Sequence, residues 1–305
     1  MPNILDFVFL NLAISVTFTG VLIKKFEDYV PAFIKKSFSY GSFAYQGSEA
    51  NFLKIIEIPK AYYRHFYLFS SIFSVLSLFY MILVYFLGFS VNEYLFTVLN
   101  YILLEDQTPV SVTAALLALS LLTLQCLRRL YETYYLQVFA KSSKMNISHY
   151  FAGIIHYFAC IVVCVGQAPL FCGSQNREKV TWIDTKTTIL FVPCTLIFLW
   201  CWYEQYQTNI IFAYLRKDKK SNKIVTEDHR VPNGRMFKYV SSPHRMCEII
   251  MYTVLVFLIT TKTFVCIYLW VLSNQIQTGI HAHEWYKKTF KNYPAKRTAV
   301  FPYVL

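Results

Sequence analysis

The feature that most constrains this chain is a series of apolar segments, each close to the length of a helix that crosses a lipid bilayer. A bilayer core of about 30 Å needs about 20 apolar residues in an α-helix. Such segments cover residues 4–23, 67–89, 109–127, 147–170, 187–202 and 246–275. The last is too long for one ordinary span and predicts two short helices joined at Thr260–Thr263. The sequence therefore predicts an all-α integral membrane protein with about seven transmembrane helices.

The composition also indicates a chain that lies mostly in lipid. Hydrophobic residues make up 56% of the 305 residues, charged residues make up only 15%, and the mean hydropathy is +0.39. A water-soluble domain of this length would need more charge to cover its surface. The longest polar segments are too short for independent cores. We therefore interpret residues 1–305 as one polytopic membrane domain.

Lys and Arg residues lie in clusters between the apolar segments and give the chain a net charge of +12. With seven helices, alternate loops place 25 of these residues on one face of the membrane and 4 on the other. Because cytosolic loops are enriched in Lys and Arg, we expect a luminal N-terminus and a cytosolic C-terminus. This asymmetry explains the basic charge better than nucleic-acid binding does, so we expect no nucleic-acid partner.

Ionisable residues at the ends of membrane helices are candidate functional groups, because burying them without a partner is costly. Almost all of them lie at the predicted cytosolic ends: Glu57, Arg129, Glu204, Asn209, Arg216, His244, Glu248, His283 and Glu284. A site at this level could take a charged cofactor from the cytosol and an apolar substrate from the bilayer. This arrangement favours a lipid-modifying enzyme over a channel.

Several motifs of soluble enzymes are absent from the sequence, namely GxGxxG, the Walker A loop, HExxH and GxSxG. With only nine glycines in the chain, phosphate groups would have to be held by Arg, Lys, Tyr and Asn side chains. Cys160 and Cys164 are one helical turn apart, but no His or carboxylate pair accompanies them. Core packing is therefore favoured over a metal site, and we expect no metal.

Two C-terminal stretches carry a specific pattern. The first, HRVPNGRMFKYVSSPHRMCEIIMY, spans His229–Tyr252, and the second, HAHEWYKKTFKNYPAKRTAVFPYVL, begins at His281. Both resemble the steroid 5α-reductase family. The stretches RRLYE (Arg128–Glu132) and IEIPKAYYRHFY (Ile56–Tyr67) resemble its polyprenol reductase branch. The resemblance implies a helical bundle in the endoplasmic reticulum membrane, with a reductase core over about residues 125–305.

The resemblance also implies NADPH as the cofactor and assigns residues to its site. These residues are Arg129, Gln205, Asn209, Arg216, Tyr239, His244, Glu248, Tyr286 and Arg297. His244 stands where the family has an Asn, so it departs from the pattern. Gln205 and Asn209 have the i, i+4 spacing that places both on one helix face. His283 is implied as an active-site residue next to the cofactor.

Glu57 matches a carboxylate that the family places against the polar end of its substrate, and the Tyr that accompanies it in steroid-specific members is Cys126 here. A hydride adds readily to a C=C bond when a conjugated carbonyl oxygen can accept the negative charge. This favours the aldehyde, polyprenal, over the alcohol, with a protonated Glu57 as the donor to the developing oxyanion. We therefore expect reduction of the α-isoprene double bond of a long-chain polyprenoid toward dolichol, in support of dolichol-linked protein N-glycosylation.

Three alternatives stay open at this point. The first is a 3-oxo-steroid 5α-reductase. The second is a membrane methyltransferase of the isoprenylcysteine type, although its S-adenosylmethionine has no phosphates for Arg216 and Arg297 to bind. The third is a lipid-binding membrane scaffold without catalytic activity, in which Glu57, Glu248 and His283 would tolerate replacement by Ala.

Overall fold

The fold is a bundle of α-helices with one short β-ribbon. The computed structural model describes residues 2–26, 28–38, 55–103, 110–140, 143–173 and 185–305. The helices are α1 (Ile4–Lys25), α2 (Ala32–Phe38), α3 (Tyr63–Phe86), α4 (Glu93–Leu103), α5 (Val112–Tyr131), α6 (Ile147–Gly166), α7 (Thr185–Tyr214), α8 (Pro243–Leu258) and α9 (Lys262–Thr289). Short 3₁₀ turns cover Lys60–Tyr62 and Arg235–Lys238, and a π-helical turn, Glu132–Leu136, continues α5.

Four helical segments of the described chain are long and apolar enough to cross a membrane. They contain α1, α3, α5 and α6. Large apolar side chains on their outer surfaces, such as Phe7, Phe18 and Phe79, are exposed, as expected of a surface that faces lipid. The other three predicted spans correspond to α7, α8 and α9. The structure thus supports a helical membrane protein, and the count of seven spans stays a prediction.

The apolar segment 246–275 is divided as predicted. Helix α8 ends at Leu258, and α9 begins at Lys262. The side chain of Thr261 accepts a hydrogen bond from the backbone N–H of Phe264, which caps the first turn of α9. This tight connection makes α8 and α9 an antiparallel pair, with Thr253 Oγ1 donating to the hydroxyl of Tyr268 at 3.0 Å.

Helices α1 and α9 lie side by side and run in the same direction. At their beginnings, Asn3 Nδ2 donates to Thr263 Oγ1 at 2.7 Å. At their other ends, Lys24 Nζ lies 3.5 Å from Glu284 Oε1. Asn3 also forms a capping box with Asp6. Its side chain therefore caps the beginning of α1 and also binds the beginning of α9.

The two-stranded ribbon is a difference from the all-α prediction. Strand β1 (Glu57–Pro59) pairs antiparallel with β2 (Lys144–Asn146), and Glu57 lies opposite Asn146. Pro59 favours an extended backbone at Ile58, because the proline ring disfavours a helical conformation at the preceding residue. The ribbon joins the beginning of α3 to the beginning of α6, so it holds Glu57 at one end of the bundle.

Asn146, the single N-glycosylation sequon in the sequence, should stay unmodified when the protein is made in eukaryotic cells. Its side chain is 4% exposed and accepts a hydrogen bond from the N–H of Ser148 at the start of α6. It also lies on the predicted cytosolic face. The measurement is the gel mobility before and after treatment with an endoglycosidase.

The matched control for this prediction is Glu178→Thr, which completes a sequon at Asn176 in the loop predicted to be luminal. This variant should gain a glycan that the enzyme removes. A glycan on Asn146, or none on the control, would contradict the predicted orientation.

Candidate active site

The guanidinium of Arg128 joins two helices, α5 and α7, at the C-terminal end of α5. Its Nη2 donates to Gln125 Oε1 at 2.7 Å and also to Gln205 Oε1 on α7, while Nη1 donates to the backbone carbonyl of Trp202. The guanidinium carbon lies 5.2 Å from the centre of the Trp202 ring. Only 5% of the Arg128 surface is exposed, so water does not compete for these hydrogen bonds. They therefore hold α5 against α7.

Gln205 and Glu248, both predicted to lie in the cofactor site, are brought together in this cluster. Gln125 Nε2 donates to Gln205 Oε1 at 3.0 Å and to Glu248 Oε2 at 3.2 Å. Gln205 Nε2 donates to Glu248 Oε2 and to the backbone carbonyl of His244 at 2.9 Å. Sequence reasoning did not assign Gln125 a role, because a single amide within an apolar helix carries no motif.

Asn209 and Arg129, also predicted cofactor residues, meet at the carboxylate of Glu132. Asn209 Nδ2 donates to Glu132 Oε2 at 2.8 Å, and Arg129 Nη1 forms an ion pair with the same oxygen. Glu132 is fully buried, and the π-helical turn that begins there aims it toward α7. Arg129 Nε also donates to the Tyr67 hydroxyl at 3.2 Å, which ties α5 to α3.

A second cluster forms where α9 meets the C-terminal segment. Ser241 Oγ is hydrogen-bonded to His283 Nδ1 at 2.7 Å and to the Tyr293 hydroxyl at 2.6 Å. It also donates to the backbone carbonyl of Thr298 at 3.0 Å. His283 is therefore linked to Tyr293 and Thr298 of the same motif through a serine that sequence reasoning did not single out, and its place next to the cofactor stays a prediction.

Arg297 and Tyr286 belong to the same cluster. The ring of Tyr286 is stacked on Tyr293, with centroids 5.4 Å apart, and the Arg297 guanidinium carbon lies 5.4 Å from the Tyr293 centroid. Arg297 Nη2 donates to Asn233 Oδ1 at 2.7 Å. Its Nε and Nη1 are buried without a hydrogen-bond partner in the described structure. A buried guanidinium with two free donors is a site prepared for an anion.

Arg216 lies at the end of α7, next to this cluster. Its Nη1 donates to the backbone carbonyl of Val138 at 3.0 Å, and its Nη2 lies 3.0 Å from His229 Nε2. Partial removal from water lowers the pKa of His229, and the positive charges of Arg216 and Lys60 lower it further. The neutral imidazole can therefore accept a hydrogen bond from Arg216 at physiological pH.

Two predicted residues lie apart from these clusters. Tyr239 is 49% exposed, and its ring is tilted against the ring of Tyr303, with centroids 6.5 Å apart. No contact in the described structure joins its side chain to the other predicted cofactor residues. Glu57 Oε2 lies 3.5 Å from Lys144 Nζ across the β-ribbon. The Glu57 side chain is only 9% exposed, whereas Lys144 remains mostly exposed.

The donors in these clusters fit a dinucleotide phosphate better than a metal ion. Besides Arg297, the buried atoms without a partner include Ser242 Oγ and His244 Nδ1 at the beginning of α8. Hydroxyl, imidazole and guanidinium groups are suited to phosphate oxygens. Among the described residues, no group of three His, Cys, Asp or Glu side chains could hold a metal.

A cavity of about 310 Å³ lies at the opposite end of α5, α7 and α8. It is lined by Val110, Ser111, Ala114, Leu190, Phe191, Phe257, Leu258 and Thr260. Along α5, Gln125 is eleven residues beyond Ala114, which corresponds to about 16 Å of helix. The cavity therefore forms no part of the polar clusters.

Comparisons with known proteins find a family model for the C-terminal half of the chain and relatives for nearly all of it. The family model for 3-oxo-5-alpha-steroid 4-dehydrogenase matches residues 144–305. Polyprenal reductase of Drosophila melanogaster is 33% identical over 99% of this chain and 94% of its own length. The Caenorhabditis elegans polyprenal reductase is 31% identical over 97% of this chain and 94% of its own length. The human polyprenal reductase is 26% identical over 82% and 79%.

The region that the family model matches contains the cluster residues of α7, α8, α9 and the C-terminal segment. The residues contributed by α3, α5 and β1 lie before it. Similarity to the fly and worm relatives extends over those elements as well. A shared family accounts for buried polar groups at one end of an apolar bundle. The chain belongs to the 3-oxo-5-alpha-steroid 4-dehydrogenase family of oxidoreductases and groups there with the polyprenal reductases.

Proposed function

We propose that this protein reduces the α-isoprene C=C bond of polyprenal with NADPH, in the endoplasmic reticulum membrane, on the route to dolichol and dolichol-linked protein N-glycosylation. The observation that carries the proposal is Arg297, a buried guanidinium with two free donors beside the stacked Tyr286 and Tyr293. The similarity to polyprenal reductases over nearly the whole chain supports the choice of substrate.

The residues of the two clusters would hold the cofactor. Arg297 and Arg216 supply positive charge for phosphate groups, and Ser242 and His244 supply neutral donors at the beginning of α8. Glu248 is held by two amide side chains, which fixes its carboxylate as an acceptor for ribose or carboxamide groups. When it is bound, NADPH supplies the hydride.

The protein itself has to stabilise the charge that develops on the aldehyde oxygen. A donor placed at that oxygen acts only in the transition state and therefore raises turnover. Glu57 is our proposed donor in its protonated form. Because Lys144 Nζ lies 3.5 Å from Glu57 Oε2, the proposal requires the largely exposed Lys144 to move away when the apolar substrate enters.

Reduction of a 3-oxo-steroid is the second candidate, because the matching family model carries that description. The chemistry is the same, since an enone oxygen accepts the charge as an enal oxygen does. The deciding experiment is incubation of the purified protein with polyprenal, polyprenol or testosterone and either NADPH or NADH. Mass spectrometry should find dihydro product from polyprenal, and product from testosterone alone would favour the second candidate.

Replacing Arg297 by Ala should weaken NADPH binding by roughly ten- to hundredfold. Charge-assisted hydrogen bonds contribute about 1.5–3 kcal/mol each, and about 1.4 kcal/mol corresponds to a tenfold change in affinity. The measurement is the dissociation constant for NADPH by fluorescence titration. The neighbouring Lys296→Ala removes an exposed charge and should change the constant little. Equal affinity of the parent for NADH and NADPH would contradict the proposed role of the basic residues.

Replacing Glu57 by Ala should lower turnover of polyprenal by roughly 10²–10³, the usual loss for one oxyanion-stabilising donor. Glu57→Gln keeps a donor of similar shape and should retain part of the activity. Cofactor affinity should hardly change in either variant, because the effect belongs to the transition state. The measurements are steady-state rates and NADPH titration. Parent-like rates in both variants would show that Glu57 is an ordinary ribbon residue.

A further inference from the structure

Arg245 is a cation on α8 that the proposed site does not yet use. Its Nη1 donates to Gln275 Oε1 on α9 at 2.8 Å, and its Nε is buried without a hydrogen-bond partner. The ion pairs of the described residues do not include it. Burying an uncompensated guanidinium is costly, so a group that satisfies it in the working enzyme is expected.

Three other arginines at this end of the bundle differ from Arg245 because they have a carboxylate partner. Arg128 and Arg129 share the carboxylate of Glu132, and Arg235 pairs with Glu204. Glu248 lies three residues beyond Arg245 on the same helix, but its Oε2 accepts from Gln125 and Gln205, and no ion pair of the described residues joins it to Arg245. Arg245 therefore keeps its positive charge available for an anion that is not part of the protein.

The direction of the Arg245 side chain separates it from the cofactor residues. Successive residues of an α-helix are rotated by about 100°. His244 faces α7, where its ring contacts Phe212, whereas Arg245 faces α9 through Gln275. Gly279 of α9 is the neighbour of Arg245 on this side, since a Cβ atom built there would lie 3.5 Å from Arg245 Cδ, which is an ordinary contact distance. The same Cβ atom would clash with Val300, so it is Val300 that requires the glycine.

On its other side, Arg245 is within electrostatic range of Lys60 and Tyr63. These two residues follow strand β1 directly and begin α3. They therefore belong to the same corner of the bundle as Glu57, the residue proposed to meet the polar end of the substrate. Arg216 is also within electrostatic range of Lys60, but its guanidinium is bonded to Val138 and His229 beyond the end of α7. Arg297 is bonded to Asn233 and lies in the C-terminal segment. The phosphates are proposed to bind at these two arginines, whereas Arg245 is turned toward α9 by its bond to Gln275.

We propose that Arg245, held by Gln275, is a catalytic residue that binds the oxygen of the substrate aldehyde and stabilises the enolate formed on reduction. This rests on the proposed function. Hydride forms a C–H bond at the β-carbon, the C=C electron pair moves to become the new bond between the α-carbon and the carbonyl carbon, and the C=O pair moves to the oxygen. Arg245 stabilises that oxyanion by a charge-assisted hydrogen bond. The α-carbon then takes a proton from water as the carbonyl reforms, and the cofactor is left oxidised.

The test uses geranic acid, a short α,β-unsaturated isoprenoid carboxylate, as a stable mimic of the enolate, and geraniol as its neutral counterpart. Binding of each is measured to the purified full-length protein in nanodiscs with saturating NADP⁺, and NADP⁺ binding is measured separately. Arg245→Gln should weaken geranate binding at least tenfold while leaving NADP⁺ and geraniol affinity within twofold. Turnover of polyprenal should fall by roughly 10²–10³.

Arg245→Lys keeps a point charge without the planar fork and should give intermediate geranate affinity. Arg230→Gln removes an exposed arginine and serves as the matched control, with no change in any of the three affinities. If Arg245→Gln weakens NADP⁺ binding instead, the anion at Arg245 is a phosphate and the proposal is wrong. If no affinity changes, Arg245 has only a packing role, and the proposal is also wrong.

A further measurement needs no variant and covers the case in which Arg245→Gln does not fold. The parent must bind geranate more tightly than geraniol, because only the carboxylate can pair with the guanidinium. Equal affinities would overturn the proposal. These binding measurements involve no turnover, so they separate the failure of this inference from the failure of the proposed function, which shows as the absence of dihydro product from polyprenal.

Discussion

The structure depends on one buried cation, Arg128, and on the acceptors that surround it in a place without water. Between membrane helices an unsatisfied guanidinium costs several kcal/mol, on the order of the whole stability of a domain. Its Nη1 and Nη2 donate to Gln125, Gln205 and the Trp202 carbonyl, and its Nε, which has no hydrogen bond, lies 3.5 Å from the Glu132 carboxylate. These contacts join α5 to α7. Glu248 then attaches α8 through the same two amides. Apolar packing alone would let these helices slide, and the polar cluster fixes their register.

The basic residues near this cluster divide into two groups with different physical roles. Arg128, Arg129 and Arg235 have carboxylate partners and serve to join helices. Arg216, Arg245 and Arg297 have hydrogen bonds to neutral groups only, within the described structure. A charge without a counter-ion raises the local potential and attracts anions from solution. We therefore propose that the unpaired group binds the ligands, while the paired group joins the helices that hold it.

Sequence reasoning predicted the parts of this arrangement that have a period or a motif. The apolar segments gave the long helices, and the tight connection at Thr260–Thr263 followed from the length of the last segment. Gln205, Glu248, Asn209 and Arg297 were chosen by resemblance, and the structure places each among polar partners.

The missed residues are those whose role depends on a neighbour far away in sequence. Gln125 belongs to no motif, and Glu132 and Ser241 lie inside family-like stretches without an assigned role. Only packing brings these three residues to Gln205, Asn209 and His283. The β-ribbon was missed for the same reason, because three-residue strands have no detectable alternation. Tyr239 shows the opposite case, since its motif is clear but its side chain points outward.

The parallel pairing of α1 and α9 constrains how many times the chain crosses a membrane between Asn3 and Thr263. Asn3 and Thr263 mark the beginnings of the two helices and are bonded to each other, so both beginnings lie on the same side of a membrane. A chain that leaves one side and returns to it must cross an even number of times in between. If α1, α3, α5 and α6, the four helices of the described chain that are long and apolar enough to span, each cross once, then α7 and α8 must cross together or not at all. The single hydrogen bond between Asn3 and Thr263 therefore couples two helices that it does not touch.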